Sequence, residues 1–486
     1  MKKSAKAGWI IAYVIMLLLS VLNCFGGYLI SLDVTLDVFL YTMAAGTGGT
    51  DPQVIKEGAL YIVPRVAAQA AVWALFIGVW HVTRRKLDMV IWFGKKRRSF
   101  KPVMSRMLAG LMLCTCLWFC VVTYGYTLKL QDLLLRGNKE TSIYEECYVD
   151  PAAVELTAPE EKRNLIFVWL ESMETTYGEK YMPNMTRIAW ENTHFSGENG
   201  AESGMHSVQY SRWTFGALFT ASSATPYAYN ANATKRWNAS IAPNTPFLWE
   251  VLKQNGYSTE YVLGSDANFA TTDLIFMAHG IDEIYDWNTM QGVDVPEGYR
   301  YGWGVEDYIL YEVAEREILK QAESGEPFCV MLSTIDTHQP GYLCSECGDE
   351  YPTNIENIIA CADRQVNEFI EWCKAQDFYE NTVIALVGDH PRMDQQLVKG
   401  VDYYDRTLYH AIINPATEAV NTENRIVTLL DMYPTVLGAL GYSIEGDRIG
   451  FGTNLFSDRP TVYEEVGYEY FESEIVKKSQ WFIENM

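Results

Sequence analysis

Apolar residues along this chain fall into two patterns. Through the first 127 residues they run in long blocks, at about 8–30, 66–82 and 107–127, each long enough to be read as a bilayer span. The second block is the shortest and carries Gln69. From Asn164 onward the apolar runs shrink to strand length and alternate with stretches of helical period. Residues 164–170, 257–262, 328–333, 382–387 and 408–413 read as strands, and 308–323 and 356–375 as helices. Near-continuous apolar strands separated by helices predict a doubly wound α/β fold with a mostly parallel sheet. Residues 128–160 are polar, contain Gly137, Pro151 and Pro159, and read as a linker; 456–486 form an acidic, aromatic tail segment. The expected organisation is a membrane domain over 1–127 with about three transmembrane helices, a linker over 128–160, and one α/β domain over 161–486.

Charge divides along the same line. Residues 1–106 hold 14 Lys/Arg against 5 Asp/Glu, and the remainder 24 against 56. The acidic part makes nucleic acid an unsuitable partner, because polyphosphate affinity comes mainly from Lys and Arg neutralising phosphates. Lys2, Lys3 and Lys6 precede the first block. Nine Lys/Arg against Asp88 lie between the second and third, at 84–106, whereas 31–64 carries Asp33, Asp37, Asp51 and Glu57 against Lys56. The positive-inside rule then puts the N-terminus and the basic loop in the cytoplasm and everything after the third block outside. The first block is too long for a signal peptide and lacks a clear small-residue cleavage site. The basic loop reads first as a topology determinant, although it would also attract anionic headgroups.

Ten cysteines are present, and Cys24, Cys114, Cys116 and Cys120 lie in the apolar blocks. Cys344, Cys347 and Cys361 cluster around a loop. Two of them can pair in an oxidising compartment. A disulfide using Cys361 is favoured over a Cys-x-x-Cys zinc half-site, for which no second half with His or Cys spacing is found.

Candidate chemistry sits where strands end, which in open α/β sheets is where ligands bind. The run 164–170 stops at Glu171 and Ser172. The run 382–387 enters Gly388-Asp389-His390-Pro391, and the run 328–333 enters Asp336-Thr337-His338-Gln339-Pro340. Each has an ordinary reading: a solvated acid or cap for Glu171, a turn for Gly-Asp-His-Pro. Three strands ending in Asp, Glu or His are harder to explain as three separate turns. In a parallel sheet these ends converge on one edge. Thr214, in Trp213-Thr214-Phe215-Gly216-Ala217-Leu218, opens a helical run. It is either an N-cap or a nucleophile stabilised by a metal and the helix N-terminus.

Together, Trp-Leu-Glu171-Ser-Met-Glu-Thr-Thr-Tyr, Trp-Thr214-Phe-Gly-Ala-Leu, Asp-Thr-His338-Gln-Pro, Gly-Asp389-His390 and Asp431-Met-Tyr-Pro-Thr-Val-Leu-Gly resemble the sulfatase-like phosphoglycerol transferases over roughly residues 145–457. That family includes lipoteichoic acid synthases and the phosphoglycerol transferases that decorate periplasmic glucans. The resemblance implies an alkaline-phosphatase/sulfatase-like domain outside a bacterial cell membrane. It also implies one divalent ion, Mn²⁺ or Mg²⁺ rather than Zn²⁺, on Glu171, Thr214, Asp389 and His390. Thr214 would be the nucleophile, and His338 would bind phosphoglycerol or assist the leaving group. The donor would be phosphatidylglycerol and the acceptor a glycan or polyol phosphate. The chain departs from the synthases at Asn268-Phe-Ala-Thr271-Thr272, where Thr stands near an expected Arg. Phosphate recognition would then lean on Arg212, His279 or Trp303, each of which could equally be a packing or surface residue. Phosphoethanolamine transferases and sulfatases share the fold implied here, but sulfatases need Cys or Ser in a Cys/Ser-x-Pro-x-Arg motif where this chain has Thr214. A non-catalytic envelope protein on the same fold is the remaining alternative.

Overall fold

The computed structural model describes residues 3–32, 34–45, 48–86, 90–93, 96–99, 101–128, 139–196, 204–227, 242–393 and 396–485. Residues 129–138 of the expected linker and 87–89, 94–95 and 100 of the basic loop lie outside the described residues. The chain divides into two compact units, residues 1–39 with 52–135, and residues 40–51 with 136–486.

In the first unit, α1 (Lys3–Ser31), α2 (Pro52–Lys86) and α3 (Lys101–Cys120) are the long helices. Three spans, Trp9–Ser31, Pro52–Trp80 and Arg106–Gly125, are long and apolar enough to cross a membrane by length and composition. The second is longer than its apolar core suggested, because α2 continues through Pro64 to Pro52. Many of its side chains face outward, Leu75 at 69 % exposure among them. Such a surface suits lipid better than water. The basic loop contains a short antiparallel hairpin, Val90–Phe93 with Lys96–Ser99.

The second unit is built on a six-stranded sheet. Its strands in chain order are β1 (Asn164–Leu170), β2 (Ser258–Leu263), β3 (Glu283–Tyr285), β4 (Phe328–Ser333), β5 (Thr382–Gly388) and β6 (His410–Ile413). They lie side by side as β3-β2-β4-β1-β5-β6. All neighbours are parallel except β5 and β6. Every residue of β1, β4 and β5 is buried, as expected for strands covered on both faces. Helix α4 (Thr214–Ser223) follows β1 in the chain, and the covering helices include α5 (Asp307–Glu323) and α6 (Asn354–Lys374). Helix α6 starts at a capping box of Thr353 and Glu356 and buries Ile358, Ile359, Val366, Phe369 and Ile370 in the main core. Five strands and two helices match the sequence expectation to within two residues at each end. Strand β3 is the missed one: three residues at an edge are too short to show a period.

The loop disulfide expected at Cys361 is not formed. All ten cysteines are free thiols. The Cys344 sulfur stands 3.5 Å from Cys347 and 3.7 Å from Cys361, beyond the roughly 2.05 Å of an S–S bond.

Candidate active site

Strand β1 lies between β4 and β5, with Trp169 opposite Ser333 and Leu170 opposite Gly388. This register brings the three polar strand ends together. Glu171 leaves β1 and Asp389–His390 leaves β5, and all three are at most 2 % exposed. Their ligand atoms lie within 4.8 Å of one another. The turn after β1 requires Ser172 in the left-handed region, at φ 56°. Its N–H donates to Asp389 Oδ1 at 2.8 Å, and its Oγ donates to Glu171 Oε1 at 2.6 Å. The His390 N–H also donates to Asp389 Oδ1, at 2.7 Å. Gly388 permits this convergence: a Cβ there would sit 2.2 Å from the Met173 carbonyl oxygen.

Helix α4 supplies the hydroxyl. Its N-cap is Trp213, without a side-chain cap bond, so Thr214 is the first helical residue and not the cap. Thr214 Oγ1 lies 3.2 Å from Glu171 Oε2 and 3.3 Å from His390 Nε2. The helix can start so close because Gly216 has no side chain: a Cβ would stand 2.1 Å from the Tyr210 carbonyl oxygen. The Trp213 indole N–H donates to that same carbonyl at 3.0 Å. Its ring packs against Tyr41 at 4.8 Å, and the Tyr41 hydroxyl meets Ala270 O at 3.1 Å and Thr271 Oγ1 at 2.8 Å. Sequence reasoning overlooked Tyr41, which sits far upstream of the site in the chain.

His390 Nδ1 is 2.9 Å from Pro391 O. A carbonyl only accepts, so in the neutral ring Nδ1 carries the hydrogen and Nε2 presents a lone pair. That lone pair faces Glu171 Oε1 and Asp389 Oδ2, each at 3.5 Å. Converging lone pairs and negative charges repel unless a proton or cation sits among them. Burial, and then the Glu171 charge, push Asp389 well above the usual carboxylate value. Burial would also raise Glu171, but His338, His390 and hydrogen bonds from Ser172 and Thr214 hold it below its ordinary value. Two carboxylates, one imidazole nitrogen and one hydroxyl are donors that fit a divalent cation.

His338 stands on the loop after β4, half-buried, with Nδ1 2.8 Å from Gln339 O. Burial lowers its pKa although Glu171 pulls the other way. Trp303 covers it at a ring separation of 4.4 Å, and the Trp303 indole donates to Gln339 O at 3.2 Å. Thr271 Oγ1 donates to Ala270 O at 2.6 Å beside the Tyr41 hydroxyl, and Thr272 Oγ1 donates to Phe269 O at 3.0 Å. The remaining two expected phosphate binders have other partners. Arg212 lies over the Tyr403 ring at 4.0 Å and pairs with Glu472 at 3.5 Å. His279 is buried, with Nδ1 3.0 Å from Glu250 and its ring 4.0 Å from Phe247.

A buried framework backs the cluster. Arg406 pairs with Glu174 through Nε at 2.9 Å and donates to Arg392 O at 2.6 Å. The Arg392 N–H donates to Glu174 Oε1 at 2.8 Å. The Arg392 guanidinium reaches the carbonyls of Thr337 and Pro340, on the His338 loop. Glu174 and Arg392 were legible only as neighbours of Glu171 and His390. Nothing in the sequence connects Arg406 to them.

The Sulfatase family model matches residues 163–442, more than half of the chain. Phosphoglycerol transferase I of Salmonella choleraesuis (strain SC-B67) is 26 % identical over 444 residues, covering 87 % of this chain and 53 % of that protein. The chain thus spans about half the length of the curated relatives it matches. Among solved structures, a Vibrio parahaemolyticus protein of the alkaline phosphatase superfamily has TM-score 0.51 at 19 % identity, over 68 % of this chain and 79 % of that one. Lipooligosaccharide phosphoethanolamine transferase A of Neisseria meningitidis has TM-score 0.50 at 15 % identity, over 89 % and 84 %. At these identities the structural likenesses establish the fold, which is the alkaline-phosphatase/sulfatase fold with apolar helices before it. With the family model matched across the sheet and every strand end of the cluster, the chain belongs to the sulfatase family.

Proposed function

We propose that this protein is a membrane-tethered phosphoglycerol transferase acting outside a bacterial cell. It takes phosphoglycerol from phosphatidylglycerol and passes it to a hydroxyl of a cell-envelope glycan or polyol phosphate. The observation that carries this reading is Thr214 Oγ1, turned away from the capping role and onto Glu171 and His390. The relatives named phosphoglycerol transferase I support the transferred group. The three apolar helices support a tether that keeps the protein at its lipid donor. The membrane part is taken as 1–127, the linker as 128–160 and the catalytic domain as 161–486.

Glu171, Asp389, His390 and Thr214 would hold the divalent ion, Mn²⁺ or Mg²⁺. When bound, it supplies positive charge that activates the threonine hydroxyl and offsets the phosphodiester anion. Thr214 Oγ attacks phosphorus, the P–O bond to diacylglycerol breaks, and the threonine proton ends on the diacylglycerol oxygen. A phosphoglycerol ester on Thr214 results. An acceptor hydroxyl then attacks the same phosphorus, and its proton returns to Thr214. With Nδ1–H engaged by Gln339 O, His338 presents Nε2 to bind a glycerol hydroxyl or to carry the moving proton. Trp303 covers this imidazole and would exclude water from that side.

The test uses the full-length chain in vesicles of labelled phosphatidylglycerol with Mn²⁺. Diacylglycerol release and a phosphoglycerol adduct on Thr214, both absent from Thr214→Ala, are expected. Release from phosphatidylethanolamine vesicles alone would move the reading to phosphoethanolamine transfer. Unchanged turnover by Thr214→Ala would remove the mechanism.

A further inference from the structure

The three free thiols near the His338 loop have a geometry of their own. Cys344 and Cys347 lie on the connection between β4 and α6, and Cys361 comes from the second turn of α6. Their sulfurs all lie within 4.8 Å of one another, two separations being 3.5 and 3.7 Å. A tetrahedral Zn²⁺ with Zn–S of about 2.3 Å holds its sulfurs about 3.8 Å apart. The Gln365 side-chain amide, 6 % exposed, donates to Cys344 at 3.7 Å and to Cys361 at 3.6 Å. A disulfide would use two of the sulfurs and leave the third buried against it. A metal uses all three. Cys361 is therefore the second half-site that the sequence did not reveal, one ligand borne by a helix rather than a second Cys-x-x-Cys pair.

We propose that Cys344, Cys347 and Cys361 form a zinc site distinct from the Glu171–Asp389–His390 cluster, with water in the fourth position beside half-buried Cys347. Soft thiolates select Zn²⁺ over the Mn²⁺ or Mg²⁺ suited to the oxygen-rich cluster. The site is structural. It ties the loop that carries His338 to α6, together with the Tyr301 hydroxyl bond to Leu343 O at 2.6 Å and the Arg364 bond to Glu346 O at 3.2 Å. The site does not depend on which group the enzyme transfers.

The experiment uses full-length protein purified without chelator. Peptide mapping after alkylation is expected to find Cys344, Cys347 and Cys361 as free thiols that react only once the protein is denatured with a chelator. Replacement of zinc by Co²⁺ is expected to produce a near-ultraviolet sulfur-to-cobalt charge-transfer band, which oxygen and nitrogen ligands cannot give, and Cys361→Ser is expected to abolish it. A disulfide between any two of the three in the native protein overturns the proposal. So does a band that is missing, or that survives in Cys361→Ser. Should that variant fail to fold, the thiol map of the unaltered protein still decides.

Discussion

At the scale of single residues, the cluster turns on a conflict of charge. Asp389 is buried against Glu171, and its pKa is driven well above the ordinary range by burial and by that neighbour. A cation resolves the conflict, and so does removal of one charge. Asp389→Asn is therefore expected to raise the unfolding temperature of metal-free protein while eliminating most of the rise that Mn²⁺ produces in the original chain. Turnover should fall by more than the roughly 10–100-fold that outer-shell changes alone cause at metal sites. Thermal unfolding with and without Mn²⁺, beside an activity assay, checks both signs. A metal-free protein destabilised by the substitution would mean that Asp389 has a structural role unrelated to repulsion. The same scale shows why Thr214 had two readings in the sequence. A hydroxyl opening a helix fits a cap as well as a nucleophile, and only the direction of Oγ1 separates them.

At the scale of elements, the site depends on how loops are fastened behind it. Glu174, 0 % exposed, is shared by Arg406 and the Arg392 backbone. Glu174→Ala leaves the Arg406 guanidinium buried without its anion, an arrangement that costs about 3–5 kcal/mol when a buried pair is broken. Denaturant unfolding should show a loss of that order, and a change under about 1 kcal/mol would mean that Arg406 finds water instead. The edge strand β6 carries a second element-level effect. His410 accepts the Phe195 N–H through Nε2 at 2.8 Å, and burial lowers its pKa from 6.5 to about 3. The unfolded chain then binds this proton more readily than the folded one. The contribution is fully present above pH 6.5 and declines as pH falls toward 3. His410→Gln keeps an acceptor without the titration, so its stability should fall less steeply than the parent's across that window. Parallel curves would assign the acid sensitivity to other groups.

At the level of the whole molecule, the proposed function carries an expected orientation in the membrane. With nine cations between the second and third apolar blocks and an acidic remainder, the positive-inside rule predicts the basic loop inside and residues after the third block outside. Reporter fusions at the loop and at the C-terminus should give a cytoplasmic signal and an external one, respectively. The reverse pair would exclude a donor in the outer face of the membrane. A tethered enzyme whose substrate is a lipid has its donor at high local concentration, which lets a modest affinity suffice.

Most of the long elements can be read from the amino-acid pattern. Long apolar blocks can be satisfied only in lipid or a large core, and buried parallel strands must be apolar throughout, so both were readable from local pattern. It also marked Glu171, His338, Asp389 and His390, because polar residues that follow apolar strands stand out, and Thr214, as a hydroxyl that opens an apolar helical run. Where these residues meet depends on the folded chain. The strand order β4-β1-β5 placed three distant ends side by side, and the start of α4 aimed Thr214 at them. Packing also gave Arg212 and His279 other partners, joined Arg406 to Glu174, and brought Cys361 to Cys344 and Cys347. Those relations depend on long-range contacts between segments 17 to more than 200 residues apart, and local composition carries no record of them.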